Sequence, residues 1–393
     1  MTAACLPLYV VRWRVGLPTT LLEVLILITV AAYAATLYRE KRLPAARTPY
    51  DIPIALLLVA GVIGIAVSPD HVRAAGIYRA YFIEAIAIFY IAVDLLRTRE
   101  DVVRVLLIAA LGSAVMALGQ IAGFGYALAT HHLSLGDAPA FLNTTPNADA
   151  MFLEPPLAFA VAFSLFPSRP YERKLALPLA GLLLVAVVLT LSRASYLALA
   201  VLAVVLVLSF RSPRWRLRAI GVLALLGLVI VEIPFVNQRI GTLGNSAGLR
   251  TSIYGQALRM LSERPILGAG ISGFPIRVAP FRPGNQVVEL YPHDLWLTTW
   301  SEIGLLGVVA FGVILFSLLW RGARAVPLAQ DIHRPVLWGA VGALVLLLVH
   351  GLFDSPYWKN DLSVEFWLVA ALLVVAVRAG RSSGSAADRP AGP

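Results

Sequence analysis

Long apolar runs recur from one end of this chain to the other, and they restrict what it can fold into. They are 17 to 28 residues long and fill most of the 393-residue sequence. A helix needs about 20 apolar residues to cross a bilayer core of about 30 Å. Lipid offers no partner to free N–H and C=O groups, so only helices and closed barrels can cross. Barrel strands alternate in segments of about ten residues, and these runs do not alternate. At 59% hydrophobic and 14% charged residues, the composition is far from that of a soluble domain. The expected fold class is an all-α polytopic integral membrane protein.

Spans are expected at 18–38, 52–68, 73–96, 102–128, 150–166, 174–191, 194–210, 217–236, 293–320, 335–353 and 362–378, which makes eleven. Leu6 to Trp13 has the look of the tail of a further span, so an untruncated relative is expected to have twelve. Alternate loops are basic: those at 39–47, 97–104, 169–174, 211–218, 321–334 and 378–389 hold 20 of the 32 Lys and Arg residues. The opposite short loops hold only Arg73, Arg193 and Lys359. Basic loops stay in the cytoplasm, so Arg193 and the long 237–292 loop are expected outside the inner membrane. The same rule accounts for the net charge of +10 without nucleic acid. Four units follow: a bundle at 1–236, the extracytoplasmic loop at 237–292, the last spans at 293–378, and a disordered cytoplasmic tail at 379–393 rich in Ser, Ala, Gly and Pro. The single cysteine, Cys5, forbids an internal disulfide, and no secretory signal peptide is evident. No halves repeat with matching broken helices, as an inverted-repeat transporter would require.

Three outward-facing clusters carry polar chemistry. In Leu191-Ser192-Arg193-Ala194-Ser195 two spans meet with almost no loop. Arg193 there either snorkels to headgroups or binds an anion with Ser192 and Ser195 as added donors. Residues 248–263 read as an amphipathic helix at the outer interface, with Leu249, Ile253, Ala257, Met260 and Leu261 at helical spacing and Arg250 and Arg259 on other faces. It stops before Arg264-Pro265. The third cluster starts at His293-Asp294-Leu295-Trp296, where the loop enters a span. His293 reads as a general base. A helix N-terminus favours its neutral ring, while Asp294 acts in the opposite sense. Glu302 lies nine residues on, near the opposite face, and reads as structural.

Other features are weighed beside these. Gly268-Ala269-Gly270-Ile271-Ser272-Gly273 fits GxGxxG, but no strand precedes it, so it reads as a flexible turn and not a nucleotide site. His131 and His132 near Asp137 lack a spaced ligand set, so no metal is expected. His71 falls in a short outer loop and His333 on the cytoplasmic side. His350, close to Asp354, Lys359 and Asp361, either lines the cavity of His293 or rivals it. Glu23 and Arg79 lie at similar depth in their spans and are expected to pair, because an unpaired charge there is costly.

These clusters resemble the O-antigen ligase and polysaccharide polymerase superfamily of bacterial inner membranes. The residues that carry the resemblance are Leu191-Ser192-Arg193, Gly248-Leu249-Arg250, Arg264-Pro265-Ile266-Leu267-Gly268, His293-Asp294-Leu295-Trp296-Leu297, Glu302-Ile303-Gly304 and the segment His350 to Asp361. The resemblance spans roughly 185–378 and is looser before that. It implies about twelve helices, a large periplasmic loop, and transfer of a glycan from an undecaprenyl-diphosphate carrier to a glycan or lipid acceptor hydroxyl, without metal or other cofactor. By position, Arg193 and Arg250, with Arg259 on the same helix, would hold the diphosphate, and His293 would activate the hydroxyl. Asp294 stands where relatives often have Asn, and its charge is expected to raise the pKa of the base. Three readings follow: a lipid-linked glycan ligase, a polymerase extending carrier-bound repeat units, or a polysaccharide transporter or flippase that works without His293.

Overall fold

A computed structural model describes residues 2–387 apart from 16, 46, 134–137, 210, 211, 233, 242 and 285. Two 3-10 turns, Thr2–Ala4 and Leu6–Val10, lead into a hairpin of β1 (Arg12–Val15) and β2 (Leu17–Thr20), the one sheet among the described residues. The rest is helical. α1 (Leu21–Glu40), α2 (Asp51–Val67), α3 (His71–Tyr78), α4 (Glu84–Leu95), α5 (Arg99–Ala129), α6 (Pro146–Leu165), α7 (Pro170–Leu189), α8 (Arg193–Ser209) and α9 (Pro213–Val231) come first. The long loop contains α10 (Pro234–Gly241), α11 (Leu243–Glu263) and the single turn α12 (Phe274–Arg277). α13 (Leu295–Ala325), α14 (His333–His350) and α15 (Asn360–Ala387) close the chain. α15 thus runs into the stretch read as a tail, and 388–393 lie outside the described residues.

Each of the eleven expected spans coincides with a helix or with the joined pair α3–α4. Among the described residues seven such segments are long and apolar enough to cross a membrane, and two apolar helices, α2 and α8, are shorter. Helix starts follow local chemistry. Thr20, Thr98 and Thr145 each accept a backbone N–H at the head of α1, α5 and α6. Glu23 closes a capping box with Thr20 and also meets Arg79 Nη2 at 2.6 Å, so the expected pair is present. Arg79 sits in a π-helical turn, Arg79–Ile83, that joins α3 to α4, and its Nε lies 3.1 Å from Glu84. Glu84 carries little signal in the sequence, yet it is the third member of that cluster.

The two sets of loops separate to opposite ends of the bundle. Arg99 pairs with Glu172 and faces Asp331 at 3.7 Å. Arg42 and Arg97 hold Asp94 at 2.7 and 2.9 Å. These contacts gather the loops before α5, α7 and α14 at one end. α14 runs from there to the other end, where its last residue, His350, meets α6. Between the ends the core is aromatic and tightly packed: Phe89 and Trp367, and Phe311 and Tyr357, meet edge to face at 5.2 and 5.0 Å.

The long loop is folded against this core. Ala257, Met260 and Leu261 of α11 pack on Ala269, Phe274 and Val278, with Leu297 and Trp300 of α13 beside them. The apolar face of the expected amphipathic helix is therefore covered by protein. The GxGxxG stretch is a packed turn and not a flexible one. Gly268 and Gly270 take φ of +64° and +81°, and a Cβ on either would fall 2.4–2.5 Å from backbone atoms of α13 or the end of α2. α13 is itself broken at Ile303 and Gly304, the latter with φ +69°. There Leu305 N–H bonds the Ile266 carbonyl at 2.9 Å, and Ala269 N–H bonds the Ser301 carbonyl at 2.6 Å. Glu302 accepts from the Ser272 N–H in the same joint.

Candidate active site

Five chain segments meet at the end of the bundle opposite the basic loops. They are the start of α6, the α7–α8 turn, one face of α11, the start of α13, and the 351–359 loop. The α7–α8 turn is as tight as expected, three residues with Leu191 at φ +55°, held by Thr190 Oγ1 donating to the Val187 carbonyl at 2.6 Å. α13 is tied to α14 by Leu295 N–H on the Gly351 carbonyl at 2.7 Å. Thr298 and Ser355 hydroxyls lie 2.7 Å apart, and Trp358 Nε1 donates to Thr299 at 3.0 Å. These bonds lay the 351–359 loop along the first turns of α13 and bring Asp354 to His293.

His293 is in the left-handed region, φ +58°, which is uncommon outside glycine and costs about 1–3 kcal/mol in many settings. Its carbonyl is held by the Tyr254 hydroxyl of α11 at 3.0 Å, and that hydroxyl also reaches the Leu352 carbonyl at 2.9 Å. The ring lies between two carboxylates: Nδ1 is 3.4 Å from Asp354 Oδ1, and Nε2 is 3.1 Å from Glu289 Oε2. Burial alone would lower its pKa, but Asp354 and then Glu289, by hydrogen bond and charge, outweigh burial and raise it above the ordinary value. Asp354 responds in kind: burial raises it, but His293, His350 and the Ser355 N–H bring it down to about 2.

Two sequence expectations are corrected here. The helix N-terminus does not keep the ring neutral, because two acids face it directly. Asp294 is not the acid that raises it. Its Oδ1 accepts from Leu297 N–H at 2.7 Å as the N-cap of α13, so the carboxylate is turned to the helix.

The arginines divide. Arg250 lies with its guanidinium 5.6 Å from the centre of the Phe353 ring, one residue from Asp354. Arg250 and Tyr254 are four residues apart and share a face of α11. Burial pushes the Tyr254 hydroxyl up to about 12, with Asp294 adding to the rise and Arg250 opposing it. Arg259 is nine residues from Arg250, half a turn round, and is exposed. The structure does not bring it to His293. Arg193 opens α8, half-buried, directly after Ser192. Ser192 donates to Asn147 of α6, and Ser195 is fully buried with its N–H on Ser192 Oγ at 3.4 Å. His350 is no rival at the surface: it is 0% exposed. It joins the site from behind, through Asn147. Glu23 and Arg79 belong to the separate α1–α4 cluster. His131 and His132 close α5, and their expected neighbour Asp137 lies outside the described residues.

Sequence reasoning missed Asn147, Glu154 and Glu289. Glu154 had a usable signal, an acid inside an apolar span. Asn147 and Glu289 had none, because an amide or acid in a polar loop is unremarkable until folding gives it a neighbour.

Residues 178–312 match the family model for O-antigen ligase. The chain is similar there to the O-antigen ligase-like superfamily, in line with the resemblance read from the sequence. The match supports membrane function of the ligase or polymerase type. The matched stretch contains Arg193, Arg250, His293 and Glu302, whereas Asn147, His350 and Asp354 lie outside it. No curated protein matches the chain.

Proposed function

We propose that the protein transfers a glycan from an undecaprenyl-diphosphate carrier to an acceptor hydroxyl at the outer face of the inner membrane, as an O-antigen ligase does. The observation that carries this reading is a partly exposed histidine, fixed at Nδ1 by the buried Asp354 carboxylate, with Arg250 over the neighbouring Phe353, at the end of the bundle away from the basic loops. His293 Nε2 takes the proton of the acceptor hydroxyl as its oxygen bonds to the anomeric carbon. The bond from that carbon to the diphosphate breaks, and its electrons leave with the diphosphate. Arg193 and Arg250 balance the growing negative charge, as guanidinium groups do for phosphate oxygens. Asp354 steadies the imidazolium that forms. Glu289 occupies Nε2 in this structure, so the acceptor hydroxyl has to take its place.

The test is transfer in proteoliposomes loaded with a defined undecaprenyl-diphosphate oligosaccharide and candidate acceptors. A new acceptor-linked product supports a ligase, and lengthened carrier-bound chains support a polymerase. His293→Ala is expected to cut transfer by about 10²–10⁴ while carrier binding persists, and unimpaired transfer by that variant would rule out the mechanism.

A further inference from the structure

A line of hydrogen-bonded side chains runs from inside α6 to His293. Glu154 Oε1 lies 2.8 Å from His350 Nδ1, and His350 Nε2 lies 3.2 Å from Asn147 Oδ1. The Asn147 amide donates to Asp354 Oδ2, and Asp354 Oδ1 faces His293 Nδ1 at 3.4 Å. Glu154 and His350 are 1% and 0% exposed, so neither can touch a substrate. Yet both are polar groups whose burial is costly unless they are partnered.

The direction of the bonds along this line is forced. An ionised carboxylate only accepts, so Asn147 must turn its NH2 to Asp354 and its Oδ1 away. Two groups then reach that Oδ1, the Ser192 hydroxyl and His350 Nε2, and both must donate. His350 therefore carries a proton on Nε2. The contact of its Nδ1 with Glu154 needs one more proton, shared between a carboxyl and an imidazole. Each member fixes the next: Glu154 orients the ring of His350, His350 orients the amide of Asn147, and the amide pins Asp354.

We propose that Glu154, His350 and Asn147 are positioning residues that hold the Asp354 carboxylate against His293 Nδ1. The proposal builds on the reading of His293 as the base. Without the His350 donor, Asn147 Oδ1 keeps only the Ser192 hydroxyl, and the amide that pins Asp354 is held less firmly. The carboxylate is then less well oriented toward Nδ1. The other groups around His293 make no hydrogen bond to 350 or 147: Glu289 at Nε2, the Tyr291 ring at 5.0 Å and Tyr254 on its carbonyl, with Asp294 turned to its own helix and Arg250 over Phe353.

The test needs no glycan. The full-length chain in detergent micelles is treated with diethyl pyrocarbonate across a pH series, and modification of His293 is followed by peptide mass spectrometry. The reagent attacks neutral imidazole, so the rate reads the titration of His293 itself. In His350→Gln the side-chain amide can still donate to Asn147, and its midpoint is expected to match the wild type. In His350→Leu and in Asn147→Leu the midpoint is expected to fall by roughly half a pH unit or more, as His293 loses an oriented carboxylate. Size-exclusion profiles identify a variant that fails to fold, and the other Leu variant then carries the test. Wild-type midpoints in folded Leu variants would overturn the proposal, as would a His350→Gln midpoint that falls as far as that of His350→Leu. Full transfer by His293→Ala would remove the catalytic reading of His293 and leave the titration result standing, so the two failures are distinguishable.

Discussion

His293 carries three constraints: a left-handed backbone, a carbonyl held from α11, and an acid at each ring nitrogen. A base must be neutral to accept a proton, and these acids favour its charged form. Transfer is therefore expected to rise with pH through a midpoint above the ordinary histidine value of about 6.5, read from the pH dependence of kcat/KM. Asp354→Asn removes the carboxylate that most raises this pKa, so the midpoint should move down and the rate should fall. Glu289→Gln should also move the midpoint down but leave transfer substantially intact, since Glu289 only occupies the place of the acceptor. His293→Ala should cost about 10²–10⁴ in rate, the usual worth of a positioned base. The candidate base was legible in the sequence because a histidine at the mouth of a span is rare and polar. Asp354 was not, because it is 61 residues away and only the fold brings it near.

At the level of elements, the polar loop is rigid where its composition reads as flexible. Gly304 breaks α13 so that the Pro265–Gly268 turn can bond into the gap, and a Cβ there would fall 2.4 Å from the Ile266 carbonyl. Gly304→Ala should lower thermal stability by about 1–3 kcal/mol from backbone strain alone. Gly181→Ala, where a Cβ meets nothing within 4 Å, should be neutral or slightly stabilising in the same melting assay. The register of α11 gives a second test. Arg250 faces the site and Arg259 faces away, so Arg250→Ala should reduce transfer by about 10²–10³, as loss of a charge-stabilising donor does, while Arg259→Ala should stay close to wild type. Periodicity placed this helix correctly because an apolar stripe survives in any context. It could not show which arginine lies over Phe353 beside Asp354, because that depends on the loop packed beneath.

For the whole molecule, the separation of two loop sets to opposite ends of the bundle makes topology testable from both sides. In a Cys5→Ser background, Val287→Cys and Leu328→Cys are exposed probes, 74% and 77% accessible, near the site and among the basic loops respectively. An impermeant maleimide added to intact cells without their outer barrier should label the first and reach the second only after permeabilisation. Labelling of both, or of Leu328→Cys alone, would contradict the orientation. Hydropathy and charge were readable from the sequence by themselves, since the bilayer imposes them residue by residue: the helical class, the apolar segments that form helices, and the two sets of loops that the fold sends to opposite ends of the bundle. The tertiary structure alone decided that Asp354 flanks His293, that Arg259 lies away from it, and that His350 reaches Asn147 and through it Asp354. Those depend on distances between segments far apart in sequence, and packing sets them, not periodicity.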